Sequence, residues 1–168
     1  MNNNIGLILT KRAKLNGDRE AYVDTSSDLR LNFSELNIRC NRLANALIES
    51  GIKKGDRVAL LLMNSPEFMT AYFAIAKIGG IVVPLNWRLV ADELEFIIRD
   101  SGATTMIFGE EFIDLITELY SRGDKTEINQ WIQVSDTNGE TNFSKDYLQF
   151  EQNGSEAEPP INGFDDDL

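Results

Sequence analysis

Between residues 57 and 100, continuous apolar runs alternate with segments whose apolar residues recur at helical spacing. Residues 58–63 and 81–85 are nearly continuous apolar runs without a period of two, which is typical of strands covered on both faces. Between them, apolar side chains recur at helical spacing at Phe68, Tyr72, Ile75 and Ala76, and a second helix is expected over 92–99. The order strand, helix, strand, helix predicts a crossover unit of a parallel sheet.

Local signals mark the ends of the first helix in this unit. Ser65 is a suitable N-cap, and Pro66 has the backbone angle that a first helical residue needs. Gly79 and Gly80 predict its end, because glycine adopts a left-handed conformation at no steric cost. A phosphate cradle is the alternative interpretation of this glycine pair, but the pair follows a helix, whereas known phosphate loops follow strands.

The segment before residue 57 predicts a helix, a hairpin and a longer helix. An amphipathic helix is expected over 5–15, and two short strands at 21–23 and 29–33 predict the hairpin. Ser34 is the expected N-cap of a helix that reaches residue 50, with Phe33 and Ile38 as a hydrophobic staple. Gly51 and Ile52 predict a Schellman ending. The inward stripe of this helix is Leu36, Cys40, Leu43, Ala44 and Leu47.

After residue 100 the same alternation continues less regularly. Strands are expected at 104–108 and 128–134, a helix opens at 109–111, a loop covers 136–140, and Ser144 is the expected cap of a short helix that ends at Phe150. From residue 151 the composition is typical of a linker. We therefore predict a unit over 1–150 and an acidic linker over 151–168, within an α/β fold whose mostly parallel sheet is flanked by helices and preceded by a hairpin.

Composition narrows the classes of function. The 168 residues have a formal net charge of −11, which argues against nucleic acid and anionic membrane surfaces as partners. Histidine is absent, which excludes histidine-dependent triads and most zinc sites. No apolar run is long enough to span a bilayer and residues 1–4 lack a signal pattern, so we expect a cytoplasmic protein.

Few residues are candidates for chemistry. Cys40, the single cysteine, lies on an apolar stripe and is expected to be a buried hydrophobe, with a nucleophile as the alternative. Asp92 and Glu93 suit a helix N-terminus, with general acid–base work as the alternative. Residues 165–167 are three aspartates, which suit a solvated end or a divalent cation.

Arg88 is the strongest candidate for ligand binding. It follows the end of a predicted strand, beside Trp87, and ligands bind beyond the carboxyl ends of strands in open α/β sheets. An arginine in this position can bind a phosphate through paired hydrogen bonds. A surface salt bridge with Asp92 or Glu93 is the alternative.

An ordered set of short segments resembles the AMP-forming adenylating enzymes, which include acyl-CoA synthetases, adenylation domains of peptide synthetases and luciferases. Residues 31–36 resemble an early family element, L-[TS]-[YF]-x-E-L, and residues 86–89 are most similar to the acyl-CoA synthetase branch that acts on fatty acids. The other matching segments are 41–44, 54–59, 64–68 and 76–86.

This resemblance implies a reaction in two halves. ATP and a carboxylate give an acyl-adenylate and pyrophosphate, and the thiol of coenzyme A then displaces AMP. The resemblance implies that the intact enzyme uses ATP, coenzyme A and Mg²⁺, and we expect none of them to be tightly bound by these residues alone. It also implies that Arg88 contacts the nucleotide phosphate of coenzyme A. Members often pair through their N-terminal regions, so a homodimer is a further expectation.

The family's phosphate-binding loop is rich in Thr, Ser and Gly and ends in Pro-Lys-Gly. No such segment occurs in these 168 residues. We therefore expect an N-terminal subdomain that is inactive alone and carries no catalytic or metal-binding residue. The alternatives are a non-catalytic interaction or dimerisation module and an independent ligand-binding domain such as a receiver. The receiver is weakened because residues 63–65, after the first buried strand, contain no acidic group.

Overall fold

The computed structural model describes residues 4–25, 27–135 and 141–160. Thirteen helices and strands of the described residues follow one another along the chain, with single 3₁₀ turns at Glu110–Phe112 and Gly123–Lys125. They are α1 (Gly6–Asn16), β1 (Glu20–Asp24), β2 (Leu29–Asn32), α2 (Phe33–Glu49), β3 (Arg57–Leu61), α3 (Pro66–Lys77), β4 (Ile81–Pro84), α4 (Ala91–Ser101), β5 (Thr105–Gly109), α5 (Ile113–Ser121), β6 (Gln130–Val134), β7 (Lys145–Asp146) and α6 (Tyr147–Asn153). The predicted α/β fold with an N-terminal hairpin is confirmed.

The main sheet has the strand order β4-β3-β5-β6-β7, and all its neighbouring strands are parallel. The central strand β3 pairs Val58 with Val82 of β4 on one side and with Thr105 of β5 on the other. The hairpin of β1 and β2 is a separate antiparallel pair. Because β4 follows β3 on one side and β5 lies on its other side, the winding direction reverses between β3 and β5.

Helices cover both faces of this sheet. Helices α2, α3 and α6 pack on the face that carries Val58 and Leu60, whereas α4 and α5 pack on the face that carries Ala59 and Leu61. These four side chains of β3 are fully buried. Burial on two faces explains why the sequence of β3 is a continuous apolar run.

The prediction that 81–85 is a second buried strand is wrong in one respect. The strand exists as β4, but it is at the edge of the sheet, and Ile81 is 37% exposed. An apolar run indicates that the two faces of a strand are covered by other parts of the protein. It does not indicate whether another strand pairs with each of its two edges. The position of β4 therefore could not be derived from its residues.

The N-cap of helix α2 lies two residues before the predicted one. Asn32 is the N-cap: its side chain accepts a hydrogen bond from the Glu35 amide at 2.8 Å, and the Glu35 carboxylate accepts one from the Asn32 amide at 2.8 Å. Ser34 is therefore inside the helix, and the expected staple shifts with the cap. Leu31 and Leu36, rather than Phe33 and Ile38, take the staple positions and are buried in one cluster.

The other helix ends of the first half follow the prediction. Gly51 has a φ of 104°, and the Ile52 amide donates to the Leu47 carbonyl at 3.0 Å, as in a Schellman ending. Ser65 caps α3 by accepting a hydrogen bond from the Phe68 amide at 3.1 Å. Gly79 follows α3 with a φ of 75°, which confirms the glycine pair as a helix stop.

The last helix differs from its prediction at both ends. Asp146 is the N-cap of α6, since its carboxylate accepts from the Gln149 amide at 2.6 Å, and the helix continues to Asn153. The Ser144 hydroxyl instead donates to the buried Gln133 side chain at 3.1 Å. The predicted boundary after residue 150 thus falls inside α6. The expected loop at 136–140 and the aspartates at 165–167 lie outside the described residues.

Candidate functional site

The carboxyl edge of the main sheet is the first candidate site. Parallel strands end at the same edge, and the winding direction reverses between β3 and β5, where open α/β sheets form a ligand-binding crevice. Residues 63–65 follow β3, 86–88 follow β4 and 110–111 follow β5 at this edge. We call the place where the winding direction reverses the switch point. The fold therefore brings the loop of Arg88 to the same edge of the sheet as the switch point.

The loop after β4 is held by hydrogen bonds of Asn86. Its side-chain oxygen accepts from the Arg88 amide at 3.0 Å, and its carbonyl accepts from the Leu89 amide at 3.1 Å. The Arg88 guanidinium carbon lies 4.8 Å from the centre of the Trp87 ring, and both side chains are exposed. This cation–π contact orients a positive charge at the edge of the sheet without burying it.

The alternative salt bridge of Arg88 is not formed within the described part of the chain. Asp92 pairs with Arg122 at 2.7 Å instead. The Glu93 carboxylate accepts from the Val90 amide at 3.1 Å, which is the helix-end role expected for it. The guanidinium of Arg88 is therefore available to an anion from solvent, and this is compatible with a phosphate contact.

A cavity of about 200 Å³ lies at the switch point itself. Three carboxylates line it, those of Glu67, Glu110 and Glu111, together with Leu62, Met63, Ser65, Gly109 and Val134. Such a lining repels a phosphate group. Among the described residues no group of three or more potential ligand side chains is arranged to hold a metal ion. The lining of this cavity therefore does not suit a nucleotide phosphate.

A larger and mainly apolar groove of about 410 Å³ adjoins this cavity through Ser65. It runs between the hairpin and the first turns of α3, and its lining is Tyr22, Asn64, Ser65, Phe68, Met69, Tyr72 and Phe73. Burial, with the nearby carboxylates of Asp24 and Glu67, raises the pKa of Tyr22. The groove suits an apolar partner or ligand better than a charged one.

Cys40 is a buried hydrophobe, as expected, and the nucleophile alternative is wrong. Its side chain is fully buried on α2 beside Leu36. Burial raises the pKa of the thiol to about 12, so the reactive thiolate is scarce at neutral pH.

Two partly buried ionic clusters were not predicted from the sequence. Arg39 of α2 contacts Glu67 at 3.2 Å and Glu151 of α6 at 3.3 Å. Burial alone would lower the pKa of Arg39, but the charge of Glu151 and its hydrogen bond raise it. Lys77 of α3 is only 3% exposed and contacts Glu158 at 2.8 Å. A lysine within the apolar stretch 70–78 was the signal available for the second cluster.

The segment after α6 lies along α2. The asparagine side chains of α2 donate to its backbone: Asn41 to the Glu156 carbonyl at 2.9 Å, and Asn45 to the Ser155 and Ala157 carbonyls at 2.7 and 2.8 Å. We call residues 155–158 the strap. The polar composition of the strap suggested a linker. Its backbone carbonyls instead bind side chains that lie more than 100 positions earlier in the sequence.

Comparisons with known proteins agree with one another. The chain is 40% identical over 130 residues to a long-chain-fatty-acid–CoA ligase, FadD13, of Mycobacterium tuberculosis, covering 77% of this chain and 26% of that protein. It is 37% identical over 120 residues to a crotonobetaine/carnitine–CoA ligase of Salmonella paratyphi A, covering 70% of this chain and 23% of that protein. The chain thus spans about a quarter of the length of these relatives.

The fold matches solved structures closely. The crystal structure of the N-terminal domain of FACL13 from Mycobacterium tuberculosis superposes with a TM-score of 0.88 at 34% identity, over 98% of this chain and 40% of that one. The anthranilate CoA ligase AuaEII also has a TM-score of 0.88, over 99% of this chain and 31% of that one, but its 24% identity supports the fold alone. The family model described as AMP-binding enzyme matches residues 9–165. The chain therefore belongs to the AMP-binding enzyme family.

Proposed function

We propose that this chain is the N-terminal subdomain of an ATP-dependent, AMP-forming acid–thiol ligase that acts on fatty acids. The supporting observation is the combined match in sequence and fold to the N-terminal domain of FACL13, at 34% identity over 98% of the chain. In the reaction, the carboxylate attacks the α-phosphorus of ATP and pyrophosphate leaves. The thiol of coenzyme A then forms the thioester, and AMP leaves.

The subdomain acts mainly as a scaffold in this proposal. Its carboxyl edge presents Arg88, whereas the switch-point cavity is acidic and does not fit a phosphate. We propose that residues 1–150 form the body of the subdomain, onto which the end of α6 and the strap are packed, and that 151–168 lead toward the segments that bind ATP. The whole protein then requires Mg²⁺ with ATP, works in the cytoplasm and forms a homodimer. No helix among the described residues is long and apolar enough to cross a membrane.

The identity of the acid is testable in the whole protein. With palmitate, octanoate, carnitine and crotonobetaine compared at saturating ATP and coenzyme A, we expect kcat/KM for palmitate to exceed that for carnitine at least a hundredfold. The reason is that an apolar acyl chain gains about 0.8 kcal/mol for each buried CH₂ group. A preference for carnitine would support the second candidate function, which rests on the 37% identity to the carnitine ligase.

Arg88 is proposed to contact the nucleotide phosphate of coenzyme A. In the whole protein, Arg88→Ala is expected to raise KM for coenzyme A about tenfold, the equivalent of one charge-assisted hydrogen bond. Adenylate formation, measured as fatty-acid-dependent pyrophosphate exchange, is expected to change less than twofold.

Arg99→Ala is the matched control, because it removes an exposed arginine from the far end of α4. It should leave both half-reactions unchanged. If KM for coenzyme A is the same in the Arg88 variant and the wild type, the phosphate role of Arg88 is refuted.

A non-catalytic interaction module is a second candidate function. The apolar groove between the hairpin and α3 favours it, since exposed apolar surface promotes association. Palmitate-dependent release of pyrophosphate by the whole protein would support the ligase over the module.

A further inference from the structure

Side chains of two helices and of the strap surround the ammonium group of Lys77, which is on α3. Its Nζ lies 2.9 Å from the Thr10 hydroxyl on α1, and 2.8 and 2.7 Å from the side-chain oxygens of Asn37 and Asn41 on α2. The fourth neighbour is a carboxylate oxygen of Glu158 at 2.8 Å. Of these four acceptors only Glu158 is charged, so it alone neutralises a lysine whose side chain is 2% exposed.

The Glu158 carboxylate is bound through both of its oxygens. One accepts from the Asn37 amide at 2.7 Å, and the other accepts from Thr10 at 3.0 Å and from Lys77. Burial alone would raise the pKa of Glu158, but the hydrogen bonds from Lys77 and Asn37 lower it below its ordinary value. The surroundings therefore favour the ionised form.

The carboxylate comes from outside the helices that bind it. Thr10, Asn37 and Lys77 lie on α1, α2 and α3, whereas Glu158 is at the end of the strap, beyond α6. The strap contains no helix or strand, so side chains of other elements must hold it. Glu158 is also the more accessible partner, with 39% of its side chain exposed.

We propose that Thr10, Asn37 and Lys77 form a carboxylate-binding pocket that Glu158 fills from within the chain, and that this occupancy locks the strap onto α2. A buried ammonium without a counterion is strongly unfavourable, so the pocket requires an anion whenever it is closed to water. The hydrogen bonds of Asn41 and Asn45 fix the position of the strap along α2. Lys77 in the pocket supplies the positive charge that attracts the Glu158 carboxylate. A small carboxylate in solution takes the place of Glu158 when its side chain is removed.

Chemical rescue tests this pocket in the 168-residue chain. Glu158→Ala removes a CH₂ group and a carboxylate that acetate can replace. We expect the variant to have a lower Tm than the wild type. Acetate should raise the Tm of the variant, compared with chloride at equal ionic strength, by about 4 °C at tenfold excess over its Kd. The wild type should respond equally to both salts.

Two further variants make the test specific. Lys77→Met combined with Glu158→Ala should lose the response to acetate, because the cation is gone. Glu156→Ala removes the other strap carboxylate, which pairs with the more exposed Arg42, and should respond equally to acetate and chloride. Equal responses of Glu158→Ala to the two salts, or a retained response of the double variant, would overturn the proposal.

Glu158→Gln provides a second route if Glu158→Ala does not fold. It keeps a hydrogen-bonding side chain and removes only the charge. Cleavage within residues 155–158 by the non-specific protease proteinase K is expected to be at least tenfold faster than in the wild type, while cleavage in β3 and β5 stays as slow as in the wild type. An unchanged rate of cleavage in the strap would show that charge does not lock it and would contradict the proposal.

Discussion

Replacing Gly154 with alanine is expected to lower the free energy of unfolding by about 3 kcal/mol, at the upper end of overpacking effects. A Cβ atom at this position would lie 1.9 Å from the carbonyl oxygen of Arg42 and 3.0 Å from the amide nitrogen of Ala46. Both atoms belong to the backbone of α2, which is fixed by the fully buried Leu43 and Leu47. The clash cannot be relieved by rotating a side chain, so the end of α6 must move away from α2.

The backbone angle of Gly154 is not the cause of this effect. Its φ of −79° is allowed for any residue, so the substitution acts through the close approach alone. Gly123→Ala is a suitable control, since nothing lies within 4 Å of its Cβ position and only its φ of 65° is unfavourable. We expect about 1 kcal/mol for the control.

Denaturant unfolding of both variants measures the difference. The midpoint of Gly154→Ala should fall clearly below that of Gly123→Ala, with similar dependence on denaturant concentration. Equal midpoints for the two variants would mean that α6 and α2 are not in close contact in solution.

Local signals in the sequence predicted most of the fold because each acts over a few residues. Ser65 with Pro66, and the glycines at 51 and 79, define helix ends through their own backbone and side-chain properties. The capping errors at Asn32 and Asp146 arose because Asn, Asp and Ser are nearly equivalent caps. When two of them lie within two residues of each other, tertiary packing selects the one that is used.

Contacts between segments that are distant in the sequence could not be predicted from the local pattern of apolar and polar residues. Residues 155–158 contain one apolar residue, Ala157, and therefore show no apolar periodicity. Their attachment to α2 depends on side chains such as Asn41 and Asn45, which lie 115 and 110 positions before their partners. The four-residue spacing of the asparagines at 37, 41 and 45 places them on one face of α2 and was the available signal. It became interpretable only once the partner segment was located.

The candidate site was predicted in part. The sequence places Arg88 after a strand, and the structure has it at the carboxyl edge of the sheet, beside Trp87. Asp92, one of the two expected partners of Arg88, instead contacts Arg122, which directly follows α5. No local pattern indicates that competition.

We propose that this chain supplies a scaffold and that later segments supply the chemistry. The 168-residue chain alone should not form an acyl-adenylate, because it contains no Thr/Ser/Gly-rich loop ending in Pro-Lys-Gly and its switch-point cavity is lined by carboxylates. Stabilising the charge that develops on transferred phosphoryl groups requires donors or cations aimed at them. The expected loss of activity relative to the whole protein is therefore essentially complete.

Pyrophosphate release from ATP is the direct test of the scaffold role. It is measured with palmitate, ATP and Mg²⁺, using the purified 168-residue chain and, in parallel, the protein extended to the length of its relatives. We predict palmitate-dependent release by the extended protein and none above the no-enzyme rate by the 168-residue chain. Palmitate-dependent release by the 168-residue chain alone would contradict the scaffold role, as would a folded, extended protein that activates no carboxylate.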